Sequence, residues 1–200
     1  MTDDRQWMLR AIELAQRGRT SPNPRVGAVI VKNGELIGEG FHERAGAPHA
    51  EVAALADAKA RGRQGDLVGA TLYCSLEPCN HFGRTPPCTD AIIAAGIGRL
   101  FIGCEDPKIH PGREKGTDKL LTAGIPVSRL CDAEAEELIE DFRTFTQRSR
   151  PWIWLKSALT LDGRFGRSKE HTEWVTHRAA RHTVHRMRAS VDAVMVGIGT

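Results

Sequence analysis

Apolar positions over the first 150 residues recur with two periods that alternate along the chain. From Asp3 to Gly18, Trp7, Met8, Ala11, Ile12, Leu14 and Ala15 fall at helical spacing, with Gly18 as a stop. After the loop TSPNPR, the runs VGAVIV and LIGEGF flank KNGE and predict a hairpin around an Asn-Gly turn. Val52, Ala53, Leu55 and Ala56 predict a helix over 49–61; 70–75 reads as a strand, 88–95 as a helix and RLFIG as the next strand. Beyond the Pro/Gly/Lys-rich stretch 105–116, a helix to Ala123, the short strand IPVSR and a helix near 132–146 complete the unit. A hairpin followed by alternating helices and strands predicts an α/β domain, three layers α/β/α with a mixed sheet.

That unit is expected to span 1–147, with 148–151 as a linker of charged, polar and Pro residues. From residue 152, WIWLKSALTLDG predicts a strand, 176–188 a helix and VDAVMVG another strand. A strand–helix–strand piece of about 50 residues buries little core of its own. Residues 152–200 therefore read as the incomplete opening of a second α/β domain, and its uncovered apolar strands predict a homodimer.

Composition narrows the class. The chain is 40% apolar and 26% charged with 20 Gly, ordinary for a globular protein and unlike a disordered, collagen-like or coiled-coil chain. No run of 18 apolar residues is present, and MTDDRQWMLR lacks the basic-then-apolar order of an export signal, so a cytoplasmic protein without a membrane partner is expected. Residues 149–200 hold 9 Lys/Arg against 4 Asp/Glu, whereas 1–148 hold 19 against 21. The basic segment suits an anionic partner or a solvated helix face. Five cysteines without an export signal argue for burial or metal ligation over disulfides. Cys74 and Cys104 sit in apolar runs and Cys131 at an element end, but Cys79 and Cys88 have Pro, Asn, His and Gly for neighbours.

His49-Ala50-Glu51 opens a helix, and Pro78-Cys79 and Cys88 follow. One imidazole and two thiolates suit Zn²⁺ with a fourth position for water, the pattern of a catalytic site; a structural zinc is the competing interpretation. Glu51, two residues after the histidine, can stand beside that water without ligating the metal and move its proton to a ring nitrogen and a leaving amine. Zinc nucleobase deaminases use this logic with two residues between the cysteines. Here eight residues, NHFGRTPP, intervene, and the helix start at Cys88 is expected to favour its thiolate.

TSPNPRVGAVIV, AGAPHAEVAAL, SLEPCNHFGRTPPCTDAII and LTAGIPV resemble the bifunctional riboflavin-biosynthesis deaminase/reductase family. RPWIWLKSALTLDGR, TEWVTHRAARHTVHRMR and DAVMVGIGT resemble the start of its reductase domain. The resemblance implies a cytidine-deaminase-like fold. It also implies deamination of 2,5-diamino-6-(5-phosphoribosylamino)pyrimidin-4(3H)-one, a small phosphorylated pyrimidine and not a nucleic acid. In the complete family protein the second domain reduces the ribose with NADPH. By position, His49, Cys79 and Cys88 match the zinc ligands and Glu51 the proton shuttle. Asn23 matches a substrate-binding residue, though an Asn in a PNP turn is also a turn former. His81 and Arg84 match the substrate's polar edge or phosphate, with solvent exposure the alternative for Arg84, and Asp106 the ribose hydroxyls. The family pattern Asp-Pro-Asn-Pro is replaced after Asp106 by a longer, more basic stretch with Lys108 in place of Asn. In the second unit, Ala158, Thr172, Trp174, Arg188 and Thr200 match cofactor or substrate contacts, with a core aromatic and a solvated helix residue as alternatives for Trp174 and Arg188. Two other functions compete: deamination of another nucleobase or nucleotide, and a zinc-stabilised scaffold without activity. Glu51 argues against the scaffold, since structure alone does not require that carboxylate.

Overall fold

A computed structural model of the chain describes residues 2–83, 86–108, 112, 114–164 and 174–198. The chain divides into two units, Met1–Trp152 and Ile153–Thr200. In the first, strands β1 (Gly27–Lys32), β2 (Glu35–Phe41), β3 (Thr71–Leu76), β4 (Arg99–Cys104) and β5 (Val127–Arg129) form one sheet in the order β2-β1-β3-β4-β5. β1 pairs antiparallel with β2 and β3, while β3–β4 and β4–β5 are parallel, so the sheet is mixed as expected. Asn33 (φ 51°) and Gly34 (φ 79°) make the hairpin turn, and two positive φ angles in succession are what the Asn-Gly pair tolerates.

Helices α1 (Thr2–Ala15), α2 (Ala50–Ala60), α3 (Cys88–Ala94), α4 (Gly116–Thr122), α5 (Asp132–Leu138) and α6 (Glu140–Arg148) accompany these strands. Because successive strand residues face opposite ways, the central strands feed two cores. Ile30, Leu72, Leu100 and Ile102 pack with Ala54, Ile92 and Leu120 of α2, α3 and α4. Val29, Tyr73 and Phe101 pack with Met8 and Leu14 of α1 and with Ala135 and Leu138 of α5. Both faces are thus covered, which explains the near-continuous apolar runs. The helix expected near 132–146 breaks at Ile139 (φ −111°, ψ 17°). Leu138 and Ile139 are both buried in the same core, whereas an unbroken helix would point adjacent side chains about 100° apart.

The second unit departs from expectation. Its helix, α7 (Arg178–Ala189), is present, capped by the His177 ring accepting from Ala179 N–H at 3.4 Å. Among the described residues, neither 152–164 nor 191–198 forms a strand. A strand exists only through a ladder with a neighbour, and among the described residues neither run pairs with one. In its place, Thr160 and Arg164 close a turn, with Thr160 N–H donating to the Arg164 carbonyl at 2.9 Å. Leu155, Leu161, Met195 and Ile198 are exposed.

Candidate metal centre and active site

The first two functional side chains are positioned by small residues. Gly38 and Gly40 of β2 lie beneath α2: a Cβ on Gly38 would stand 2.5 Å from the Ala54 carbonyl oxygen, and one on Gly40 2.5 Å from the Ala54 nitrogen. Paired with Ala50, Ala54 and Ala58 on the buried helix face, they bring α2 onto the sheet at backbone contact. The helix begins there, with His49 as its extended N-cap residue (φ −70°, ψ 160°) and Glu51 in its first turn. Glu51 is 3% exposed.

Cys79 follows β3 and Cys88 opens α3. Their sulfurs converge on His49: Nδ1 lies 3.2 Å from Cys88 Sγ and 3.5 Å from Cys79 Sγ. Two ligands on a tetrahedral zinc, with bonds of about 2.0 Å to N and 2.3 Å to S, stand about 3.6 Å apart. The spacing therefore fits that ion. So does the charge. Burial, and next the Cys79 thiolate, push the Glu51 carboxyl up to about 7, and a buried site that gathers acidic groups around one imidazole calls for a cation. Among the described residues, His49, Cys79 and Cys88 are the one cluster of three donors placed to hold a metal.

The two thiols share hydrogen bonds. A hydrogen bond from the Cys88 thiol, and further ones from His49 and the Cys88 N–H (3.4 Å), hold Cys79 below the ordinary thiol range. Cys88, the donor to that thiolate and deeply buried, is pushed up. The N–H at the helix start of Cys88 points at the Cys79 sulfur.

Asn23 reaches this site through a residue not singled out in the sequence, His42. The His42 Nδ1–H donates to the Pro48 carbonyl at 3.0 Å. Its Nε2 is then the acceptor for the Asn23 amide N–H at 3.1 Å. Burial holds His42 below the ordinary imidazole range, consistent with that neutral tautomer. The His42 ring meets His49 edge-on, with centroids 5.4 Å apart. Asn23 is also tied as a turn former, since its carbonyl accepts from the Thr20 hydroxyl at 2.8 Å. The only sequence signal for His42 is a histidine between a strand end and the HAE motif.

His81 and Asp106 lie along a cleft of about 640 Å³ that also includes Cys79 and Lys108. Glu77, likewise missed in the sequence, organises one wall. Its carboxylate accepts from Asp106 N–H at 3.3 Å and from the Thr117 N–H and hydroxyl at 3.0 and 2.9 Å. Asp106 in turn accepts from Lys108 N–H at 2.9 Å, closing a turn. The cleft's cations are largely paired: Lys115 with Glu105 at 3.0 Å, Arg143 with Glu136 at 2.9 Å. Arg84, Thr172 and Thr200 lie outside the described residues. Trp174 is 75% exposed, and the Arg181 guanidinium stacks 4.6 Å from its ring centroid. Arg188 is exposed in the last turn of α7, and Ala158 is half-buried.

Comparison with known proteins agrees with this geometry. Residues 151–200 match the RibD C-terminal domain. The riboflavin biosynthesis protein RibD of Aquifex aeolicus is 48% identical over 98% of this chain and 54% of its own length. That of Escherichia coli is 46% identical over 98% and 53%. The chain thus spans about half the length of the curated relatives it matches. The crystal structure of a diaminohydroxyphosphoribosylaminopyrimidine deaminase/5-amino-6-(5-phosphoribosylamino)uracil reductase from Thermotoga maritima superposes with a TM-score of 0.91 at 45% identity, covering 100% of this chain and 56% of that one. The fold is that of the cytidine deaminases. Residues 1–104, which include His49, Glu51, Cys79 and Cys88, match the cytidine and deoxycytidylate deaminase zinc-binding region, and the chain belongs to that family.

Proposed function

We propose that the first unit hydrolytically deaminates 2,5-diamino-6-(5-phosphoribosylamino)pyrimidin-4(3H)-one in riboflavin biosynthesis. The observation that carries this is a carboxyl group, Glu51, buried beside three convergent zinc-type donors. His49, Cys79 and Cys88 would hold zinc, which supplies Lewis acidity and a water of lowered pKa. The chain's own residues do the rest. The ring carbon bearing the amino group gains the water oxygen and loses ammonia, so both water protons must move. Glu51 delivers one to the adjacent ring nitrogen, which keeps it in the product, and the other to the departing amine. Burial disfavours the Glu51 carboxylate, which suits a group that must take up and give back protons. Asn23, with one amide N–H committed to His42, offers its side-chain Oδ1 to a substrate amino group. His81 and Asp106 in the cleft, together with Arg84, serve the polar edge, ribose and phosphate of the substrate.

We assign 1–147 to the deaminase domain, 148–151 to a linker and 152–200 to the opening of an NADPH-dependent reductase domain in which Ala158, Thr172, Trp174, Arg188 and Thr200 contact cofactor or substrate. The match of 151–200 to the RibD C-terminal domain supports this. Five free cysteines support a reducing, cytoplasmic setting, and no helix among the described residues is long and apolar enough to cross a membrane. The test is ammonia release from the phosphorylated diaminopyrimidinone by zinc-verified protein. Release abolished by Glu51→Gln supports the assignment; no release from folded, zinc-loaded protein removes this substrate for the chain as it stands.

A further inference from the structure

The eight-residue connection between Cys79 and Cys88 raises a physical problem. A long connection fixes its ends less tightly than a two-residue one, yet the two sulfurs must be held to tenths of an ångström. The residues immediately after each cysteine resolve it. Thr89, fully buried, donates its hydroxyl to Asn80 Oδ1 at 3.2 Å, and Thr89 N–H donates to the Cys79 carbonyl at 3.3 Å. The two ends of the loop are thereby bonded to each other directly. The Asn80 side chain is itself anchored to α4 on both of its atoms. Oδ1 also accepts from Lys119 Nζ at 3.1 Å, and Nδ2 donates to the Glu114 carbonyl just before the helix at 3.1 Å. Lys119 Nζ reaches Asp90, next along α3, at 2.5 Å. One ammonium thus joins the strand-side end of the loop to the helix-side end.

The rest of the segment rests on the same helix. Glu77 is bonded to Thr117, and a Cβ on Gly116 would lie 1.9 Å from the Pro78 carbonyl oxygen, so the chain at Pro78 runs directly over the start of α4. Glu77, Pro78 and Asn80 all contact this turn, and Cys79 among them is left to face His49.

We propose that Asn80 and Thr89, anchored by Lys119, are positioning residues for the metal: they set the separation of the two thiolates independently of the loop between them. This rests on the assignment of His49, Cys79 and Cys88 as zinc ligands. The test is the rate at which the zinc-loaded 200-residue protein gives up its metal to the chelator 4-(2-pyridylazo)resorcinol, with bound zinc counted beforehand. Partners beyond the ligands change metal affinity about 10- to 100-fold. Thr89→Val, which keeps the shape and removes the hydroxyl, and Asn80→Ala are each expected to release zinc about tenfold faster. Thr89→Ser restores the wild-type rate. The double variant releases zinc no faster than Asn80→Ala alone, because both substitutions break one linkage. Wild-type release rates in the single variants, or multiplicative rates in the double variant, overturn the proposal. A wild-type protein that holds no zinc removable by Cys79→Ser overturns instead the ligand assignment beneath it.

Discussion

Gly40→Ala displaces the helix that carries His49 and Glu51 without touching either. The new Cβ would stand 2.5 Å from the Ala54 nitrogen and 2.7 Å from Ala53 Cβ, against an ordinary contact of 3.4 Å or more. A backbone nitrogen cannot rotate aside, so α2 must retreat as a body. Overpacking of this kind costs about 1–3 kcal/mol, and each kcal/mol lowers Tm by about 2–4 °C in a chain of this size. A shift of about 1 Å at catalytic groups costs about 10²-fold in rate. Gly103→Ala is the matched control. Its Cβ would lie 2.5 Å from Ala135 Cβ and 2.6 Å from the Ser75 carbonyl oxygen, on the face covered by α1 and α5. Thermal melts should show similar losses of stability in the two variants. Ammonia release and zinc retention should separate them, with Gly40→Ala losing about 10²-fold in turnover and holding zinc more loosely, and Gly103→Ala close to wild type on both. Wild-type turnover in Gly40→Ala, or an equal loss in Gly103→Ala, would refute the reasoning.

Glu51→Gln should keep its zinc, counted by metal analysis, while turnover falls by about 10²- to 10⁴-fold; near-normal turnover with zinc bound would dismiss the proton shuttle. Cys79→Ser and Cys88→Ser should each lose the metal and melt at the lower temperature that chelation imposes on the wild type, because metal binding is coupled to folding; zinc content equal to wild type would exclude that cysteine as a ligand. Asn23→Ala leaves the buried His42 Nε2 without its donor. A cost of about 1–3 kcal/mol should appear in denaturant melts, with a raised KM, and no change in either would dissociate Asn23 from the site.

The candidate metal donors, which the structure brings together, were legible in the sequence because each sits in a short local pattern, His49-x-Glu51 and the Pro-flanked Cys79 and Cys88. The hairpin was legible for the same reason, through Asn33-Gly34. What stayed hidden depends on residues distant in the chain. Gly38 and Gly40 look like interruptions of a strand until Ala54 is known to lie over them. His42 carries no signal without Asn23 and Pro48, and Glu77 none without Thr117. That the Cys88 N–H faces the Cys79 sulfur was hidden too, because a rule about helix starts cannot say which sulfur an N–H faces. The apolar runs in 152–164 and 191–198 have strand composition, but pairing is a property of two segments, and among the described residues neither run is paired.

The route of the chain through the sheet has a kinetic consequence. The β1–β2 hairpin and α2 form from neighbouring residues and deliver His49 early. Cys79 and Cys88 come with β3 and α3, and β3 reaches its place beside β1 only by a long-range pairing, Ala28 against Cys74. Contacts of that separation form late, because loop-closure entropy must be met before they contribute. Until β3 has inserted, the imidazole stands on one piece of the domain and the two thiolates on another. Tight metal uptake and closure of the sheet are therefore a single event in folding, and the appearance of bound zinc times the moment at which the two halves of the domain have met.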